Sequence, residues 1–134
     1  MSCGQLQSQQ GGCLCGGVRY RVTGELRDVI NCFCSQCRKT SGHHVAATSV
    51  ANTKFELLNQ DTLKWYQSSQ QARRGFCGDC GSNLFWQRDD AVTISIMAGT
   101  LEAPTGLATV QNIFLEDMSD YHEIPALSGH DATN

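Results

Sequence analysis

Eight cysteines in a chain of 134 residues are the feature that most constrains how this sequence folds. Two pairs of them, Cys13/Cys15 and Cys32/Cys34, are separated by a single residue. A disulfide between such close neighbours is strained, whereas a metal ion accepts both sulfurs of such a pair. The spacing therefore predicts that the cysteines are mainly metal ligands.

The clearest cluster is CGDC at residues 77–80, followed by Gly81. A Cys-x-x-Cys turn aims two sulfurs at one point, and Gly78 and Gly81 allow the positive φ angles that such a turn tends to need. A closed tetrahedral zinc site needs two further thiolates. Cys13 and Cys15 are natural donors if they lie in a strand, because residues i and i+2 of a strand point to the same face. From spacing alone, two cysteines of the central cluster could serve instead.

The central cluster contains Cys32, Cys34 and Cys37, with no obvious fourth ligand. Three protein ligands and one open position are typical of a catalytic zinc. An alternative is that these cysteines bind no metal and act as thiols. The residues that could close the site as a fourth ligand are His43, His44 and Cys3.

Two pairs of basic residues are candidates for binding an anionic substrate. Arg38 and Lys39 follow the central cluster directly, where cations favour a thiolate or hold a substrate carboxylate. The alternative is that both are solvated charges on a helical turn. Arg73 and Arg74 present the same choice, and for them solvated residues at a strand edge are the favoured interpretation.

The overall charge and hydropathy exclude several kinds of partner. A formal charge of −3 leaves no excess of Lys and Arg to neutralise phosphates, which disfavours nucleic acid. No apolar run approaches the ~20 residues needed to span a bilayer. The N-terminal residues lack the charged and apolar regions of a secretory signal. We therefore expect a cytoplasmic protein, where closely spaced cysteines stay reduced.

The pattern along the chain predicts one mainly β domain. Residues 1–12 and 127–134 are mostly polar, and we expect a flexible leader and a flexible tail around a zinc domain at 13–126. Alternation of Val18, Tyr20 and Val22 with polar residues predicts a half-buried strand. Further strands are predicted at 44–50, 63–67, 83–87, 92–97 and 109–115, and short helical segments at 35–41 and 119–122. The predicted architecture is a set of short antiparallel strands.

The order of these motifs resembles the glutathione-dependent formaldehyde-activating enzyme family, whose domain centromere protein V shares. The resemblance covers roughly residues 11–125. It rests on seven cysteines in matching order with their neighbouring glycines. The segments that carry it are GGCLCGGVRY at 11–20, NCFCSQCRKTSG at 31–42, RRGFCGDCGSNLFW at 73–86, ISIMAGTL at 94–101 and IFLEDMSDYHEI at 113–124.

The resemblance implies a zinc-binding β-tent fold and divides the cysteines between two sites. The structural zinc would be held by Cys13, Cys15, Cys77 and Cys80. A second, catalytic zinc position would be formed by Cys32, Cys34 and Cys37.

The resemblance also implies a reaction. Glutathione would add to formaldehyde and give S-hydroxymethylglutathione, which is formally a carbon–sulfur lyase reaction run in reverse. No general base stands out, and the candidates are His43, His44 and Asp79. The alternative function is a non-catalytic interaction module with two structural metal sites.

Overall fold

The computed structural model describes residues 8–128, and the mainly β fold predicted from the sequence is confirmed. Within these residues, α1 spans Ser35–Ser41, and no helix is long and apolar enough to cross a membrane. Short 3₁₀ turns lie at Asn52–Lys54, Ala98–Thr100 and Leu115–Asp117. The strands are Ser8–Gly12 (β1), Val18–Thr23 (β2), Val29–Cys32 (β3), Val45–Ala51 (β4), Phe55–Gln60 (β5), Leu63–Gln67 (β6), Ala72–Cys77 (β7), Asn83–Arg88 (β8), Thr93–Met97 (β9) and Thr109–Ile113 (β10).

The strands form two sheets. A three-stranded sheet has the order β1-β2-β5, and a seven-stranded sheet has the order β10-β3-β4-β9-β8-β7-β6. Strand β10 pairs with β3 in parallel, whereas the other pairings are antiparallel. The predicted antiparallel arrangement is confirmed, and among the described strands this edge pairing is the parallel exception. Parallel neighbours need a long connection, and most of the chain lies between β3 and β10.

The main core packs β2 of the small sheet against β8 and β9 of the large one. Val18, Tyr20 and Val22 are buried, which confirms the alternation predicted for this strand. The Tyr20 ring meets the Phe85 ring edge to face at 5.4 Å. Cys13 and Cys77 belong to the same buried cluster. The packing that forms the core therefore also brings two cysteine-bearing turns together.

The fold begins earlier than the predicted boundary at residue 13. Ser8–Gly12, which we expected in the flexible leader, form β1 and pair with β2. Ser, Gln and Gly carry little strand propensity, so the strand depends on its pairing. Gly11 also lies so close to Tyr20 that a β-carbon would clash. In the predicted tail, Ser128 hydrogen-bonds to Thr109 of β10, and residues 1–7 and 129–134, including Cys3, lie outside the described residues.

The helix predictions give one success and one failure. Helix α1 spans the predicted residues and ends at Gly42, whose φ of 82° is the left-handed conformation that glycine tolerates. The second prediction, at 119–122, is wrong because this segment is a turn. There the His122 imidazole Nδ1 accepts the Ser119 amide at 2.9 Å, so the side chain replaces a backbone partner.

Candidate metal centres

Two turns bring together the four cysteines that the resemblance assigned to a structural zinc. Cys13 and Cys15 lie in the turn after β1, and Cys77 and Cys80 lie at the end of β7 and in the turn that follows. Their four sulfurs lie within 4.8 Å of one another. The Sγ of Cys15 is 3.7 Å from the Sγ atoms of Cys13 and Cys77. Two thiolates on a tetrahedral zinc are about 3.8 Å apart, given a Zn–S bond of about 2.3 Å.

Fixed hydrogen-bond donors surround this four-cysteine cluster. The backbone N–H of Val18 donates to Cys13 Sγ at 3.2 Å, and those of Asp79 and Cys80 donate to Cys77 Sγ at 3.3 and 3.2 Å. The hydroxyl of Thr62 lies 3.1 Å from Cys77 Sγ and lowers its pKa, with help from these amides.

Cys80 is, like Cys77, set up as a thiolate. Hydrogen bonds from the Ser82 hydroxyl and the Ser82 backbone lower the pKa of Cys80 to about 5. Metal ligands of this type bind as thiolates, so the donors favour the form that a metal requires.

The local geometry of this cluster differs from the prediction. Cys13 and Cys15 lie in a turn and not in a strand, and Gly16 with a φ of 86° allows the chain to reverse there. Gly81 has a positive φ of 81°, as expected. Gly78 has no positive φ; a β-carbon at this position would instead lie 2.7 Å from Lys64 Cε.

The central cysteines form a second cluster at the start of α1. Cys32 ends β3, Cys34 is the N-cap of α1, and Cys37 lies in its first turn. The Sγ of Cys34 accepts the Cys37 amide at 3.4 Å. The three sulfurs lie within 4.8 Å of one another, and no described histidine or carboxylate joins them within that distance.

These three sulfurs open into a cavity of about 390 Å³. Most of its wall is apolar, and its ionisable groups, among the described residues, are the three thiols and two guanidiniums. Phe114 at this wall has a φ of 58°, a strained conformation that is frequent at functional sites. The lining residues are Arg27, Ile30, Cys32, Cys34, Gln36, Cys37, Val45, Ala47, Ser69, Ala72, Arg74, Trp86, Ser95, Met97, Ile113 and Phe114.

Arg74 lines the cavity, which the favoured sequence interpretation missed. It was taken as a solvated residue at a strand edge, yet it is only 5% exposed and its Nη2 lies 3.7 Å from Cys37 Sγ. Hydrogen bonds from Cys32, then from Cys34 and Arg74, lower the pKa of Cys37 to about 6, although burial opposes them. The hydrogen bond to Cys37 raises the pKa of Cys32, so a proton is shared unequally between these two sulfurs.

The two cations predicted for substrate binding lie elsewhere. Arg38 donates from Nε to the Asp117 carbonyl at 2.9 Å, and Lys39 is exposed on α1. Neither lines the cavity, where Arg74 and Arg27 lie instead. The adjacent Arg73 lies on the side of the strand opposite to Arg74. Its guanidinium stacks 3.8 Å above the Trp65 ring.

The predicted histidines belong to a separate cluster. One nitrogen from each of His43, His44 and His122 lies within 4.8 Å of the others, away from the cavity lining. His43 Nδ1 is 2.7 Å from the Tyr121 hydroxyl. Because His122 Nδ1 accepts an amide proton, its neutral form carries hydrogen on Nε2, which then offers no lone pair to a metal. The candidate base Asp79 is exposed beside the four-cysteine cluster and also lies outside the cavity.

Fold and site together define a class: a β-sheet domain with two cysteine clusters that can each hold a metal ion, one with four ligands that joins two turns and one with three ligands that opens into a cavity. The chain belongs to the glutathione-dependent formaldehyde-activating enzyme family, whose model matches residues 8–117. This confirms the resemblance found in the sequence.

Two relatives support this membership. A Halomonas elongata protein with the provisional description of a glutathione-dependent formaldehyde-activating enzyme is 32% identical over 84 residues. The match covers 57% of this chain and 54% of that protein, so the chain spans about half the length of this curated relative. A crystal structure of a Rhodobacter sphaeroides protein matches with a TM-score of 0.62 at 28% identity, over 77% of this chain and 98% of that one.

Proposed function

We propose that this chain adds the thiol of glutathione to formaldehyde and forms S-hydroxymethylglutathione, a carbon–sulfur lyase reaction in reverse. A related small thiol or aldehyde would fit the same chemistry. Family membership supports the class of reaction. The strongest support for a catalytic site at the central cluster is that its three thiols converge on an apolar cavity of about 390 Å³.

Zinc is the proposed metal at both clusters. Cys13, Cys15, Cys77 and Cys80 offer a complete tetrahedral set, and Cys32, Cys34 and Cys37 offer three ligands and leave a fourth position for a substrate thiol. Zinc bound there would lower the pKa of that thiol. The all-thiolate donor sets suit zinc better than magnesium or calcium.

The protein's own residues would then bind and orient the reactants. The apolar wall, with Val45, Trp86 and Met97, excludes water and strengthens the electrostatic interactions inside the cavity. Holding the thiolate and the aldehyde in contact supplies the proximity that both lack in solution. The proposed setting is the cytoplasm, where both the cysteines and glutathione stay reduced.

The test combines calorimetry with reduced glutathione and formaldehyde consumption measured above the spontaneous rate. We expect binding in the micromolar to millimolar range, and loss of turnover in Cys34→Ser. Serine is a good helix N-cap, so this variant keeps the start of α1. If millimolar glutathione does not bind to protein carrying both metals, the alternative of a metal-binding interaction module is favoured.

A further inference from the structure

We propose that Arg74 stabilises the negative charge that develops on the aldehyde oxygen while the carbon–sulfur bond forms. This role rests on the proposed function of the cavity. It would make Arg74 a catalytic residue, because its guanidinium would contact the reacting oxygen.

The first observation is that Arg74 is a buried cation with no anionic side chain beside it other than a thiolate. It is 5% exposed, and among residues 8–128 it forms no ion pair with a carboxylate. Its Nη2 contacts Gln36 Oε1 at 3.4 Å and its Nη1 contacts Thr40 Oγ1 at 3.5 Å, both long hydrogen bonds to neutral groups. Its Nε has no hydrogen-bond partner. A buried charge is costly unless it is paired, so the surroundings of Arg74 favour the arrival of negative charge.

The second observation is distance. Arg74 Nη2 lies 3.7 Å from Cys37 Sγ, so the guanidinium sits beside the cluster where a substrate thiol would bind. A thiol sharing a tetrahedral metal with Cys37 would lie about 3.8 Å from its sulfur. The oxygen of the adduct is two bonds from the substrate sulfur, so a substrate sulfur on the Arg74 side of Cys37 brings that oxygen within reach of the guanidinium. The carboxylates of glutathione are many bonds from its sulfur, so the position of the sulfur does not fix their distance from Arg74.

The third observation concerns the other groups in the cavity. The lining contains no carboxylate and no imidazole among the described residues, so proton transfer by such a side chain is not available there. Arg27 is exposed and already donates to the Ala47 and Asp28 carbonyls, at 2.9 and 3.1 Å. Arg74 therefore remains as the group able to meet an oxyanion inside the apolar wall, where such an interaction is strong.

The step balances without an oxidant or a reductant. The thiolate electron pair forms the S–C bond, the C=O π bond breaks, and its electron pair moves to oxygen as an alkoxide beside Arg74. The proton released by the thiol reaches that oxygen through water at the cavity mouth. Arginine stays charged throughout, so its part is electrostatic.

A first experiment measures anion recognition beside Cys37 without turnover. The full chain, as purified, is alkylated with iodoacetate and with iodoacetamide at one pH, and rates are resolved at the Cys37 peptide by mass spectrometry. Both reagents attack the same thiolate, so their rate ratio cancels the thiolate fraction. Iodoacetate also places carboxylate oxygens three bonds from the sulfur, one bond further than the alkoxide oxygen of the adduct.

We expect the iodoacetate to iodoacetamide ratio at Cys37 to exceed that of free glutathione by about tenfold or more. Arg74→Gln should lower the ratio to that of free glutathione, and Arg74→Lys should keep part of it. Arg73→Gln is the matched control, since Arg73 stacks on Trp65 outside the cavity, and it should match the parent. The comparison of the parent with free glutathione needs no variant to fold. Equal ratios in that comparison overturn the proposal.

A second experiment separates this role from binding of a substrate carboxylate. Arg74→Gln should lower kcat for formaldehyde consumption about 100-fold, while the Kd for glutathione changes less than about twofold. A raised KM for glutathione with unchanged kcat would mean that Arg74 binds a carboxylate, which overturns the oxyanion role. If the parent protein shows no turnover although its alkylation ratio is high, the proposed function and the oxyanion role both fail, and an anion site remains.

Discussion

Replacing Cys77 by serine should destabilise the fold far more than replacing Cys34 by serine. Cys77 is 1% exposed. Its sulfur lies next to that of Cys15, which is 62 residues away along the chain. With zinc bound as proposed, the four-cysteine cluster clamps the turn after β1 to the turn after β7. Removing a ligand therefore weakens a contact between the two sheets.

The size of the effect follows from the energy of zinc binding. Structural zinc contributes roughly 10 kcal/mol or more in zinc-finger peptides, against a total domain stability of about 5–15 kcal/mol. If one lost ligand removes only a third of that energy, the loss is about 3 kcal/mol. For a chain of this length, 1 kcal/mol shifts the melting temperature by about 3–5 °C. We expect Cys77→Ser to melt about 10 °C or more below the parent.

Cys34→Ser is the matched control because it removes a thiol from the other cluster. The central cysteines span only residues 32–37, so a metal there closes a short loop and adds little to the unfolding free energy. Serine also preserves the N-cap hydrogen bond to the Cys37 amide. Its melting temperature should stay within about 3 °C of the parent, while one metal equivalent is lost.

Calorimetric melting and metal analysis of the purified variants test both expectations. A Cys77→Ser protein that melts within about 2 °C of the parent would refute the clamp. An equal loss of stability in both variants would refute the distinction between the clusters.

Three further results are expected. Brief treatment with a mild chelator should remove metal from the central cluster first, because it is open to a cavity; metal analysis with site-resolved alkylation checks this, and equal loss from both clusters contradicts it. Ala47→Phe, which fills the cavity wall, should remove calorimetric glutathione binding without unfolding the protein; unchanged affinity would place the thiol site elsewhere. Burial, with His43 and His122 nearby, lowers the pKa of His44, so the unfolded state binds the proton more tightly and stability falls as pH drops below about 6.5. His44→Phe should keep the stacking on Phe33 and reduce this loss in denaturant titrations from pH 7 to 5, and an unchanged slope would exclude His44 as its source.

The cysteine grouping could be predicted because the ligand spacing is local and the motif order is specific. The two cysteines of each turn lie close together because they are only two or three residues apart in the sequence. Helix α1 was predictable for the same reason, since Cys34 and Gly42 supply its two caps. The strand argument for Cys13 and Cys15 was wrong, yet a turn with a left-handed glycine achieves the same convergence of sulfurs.

The cavity could not be predicted, because it depends on how distant strands align. Neighbouring residues of a strand face opposite sides, so one of Arg73 and Arg74 had to point inward. Which one does so depends on the pairing of β7 with β6 and β8, where Arg74 lies opposite Tyr66 and Trp86. His122 joins His43 and His44 from 78 or more residues away, and no local pattern announces such a contact.

The two clusters differ in how their negative charge is compensated, and this difference supports the division of roles. With zinc bound as proposed, four thiolates leave the cluster with a net charge of −2. Backbone N–H groups that donate hydrogen bonds to Cys13 and Cys77 disperse this charge. Those donors are fixed and already used, so the four-cysteine cluster has nothing to offer a ligand. Three thiolates leave a net charge of −1 beside Arg74, whose remaining donors meet only neutral groups at long distance or no partner. A transient anion is therefore accommodated at the cluster that faces the cavity, which is where a thiol and an aldehyde could meet.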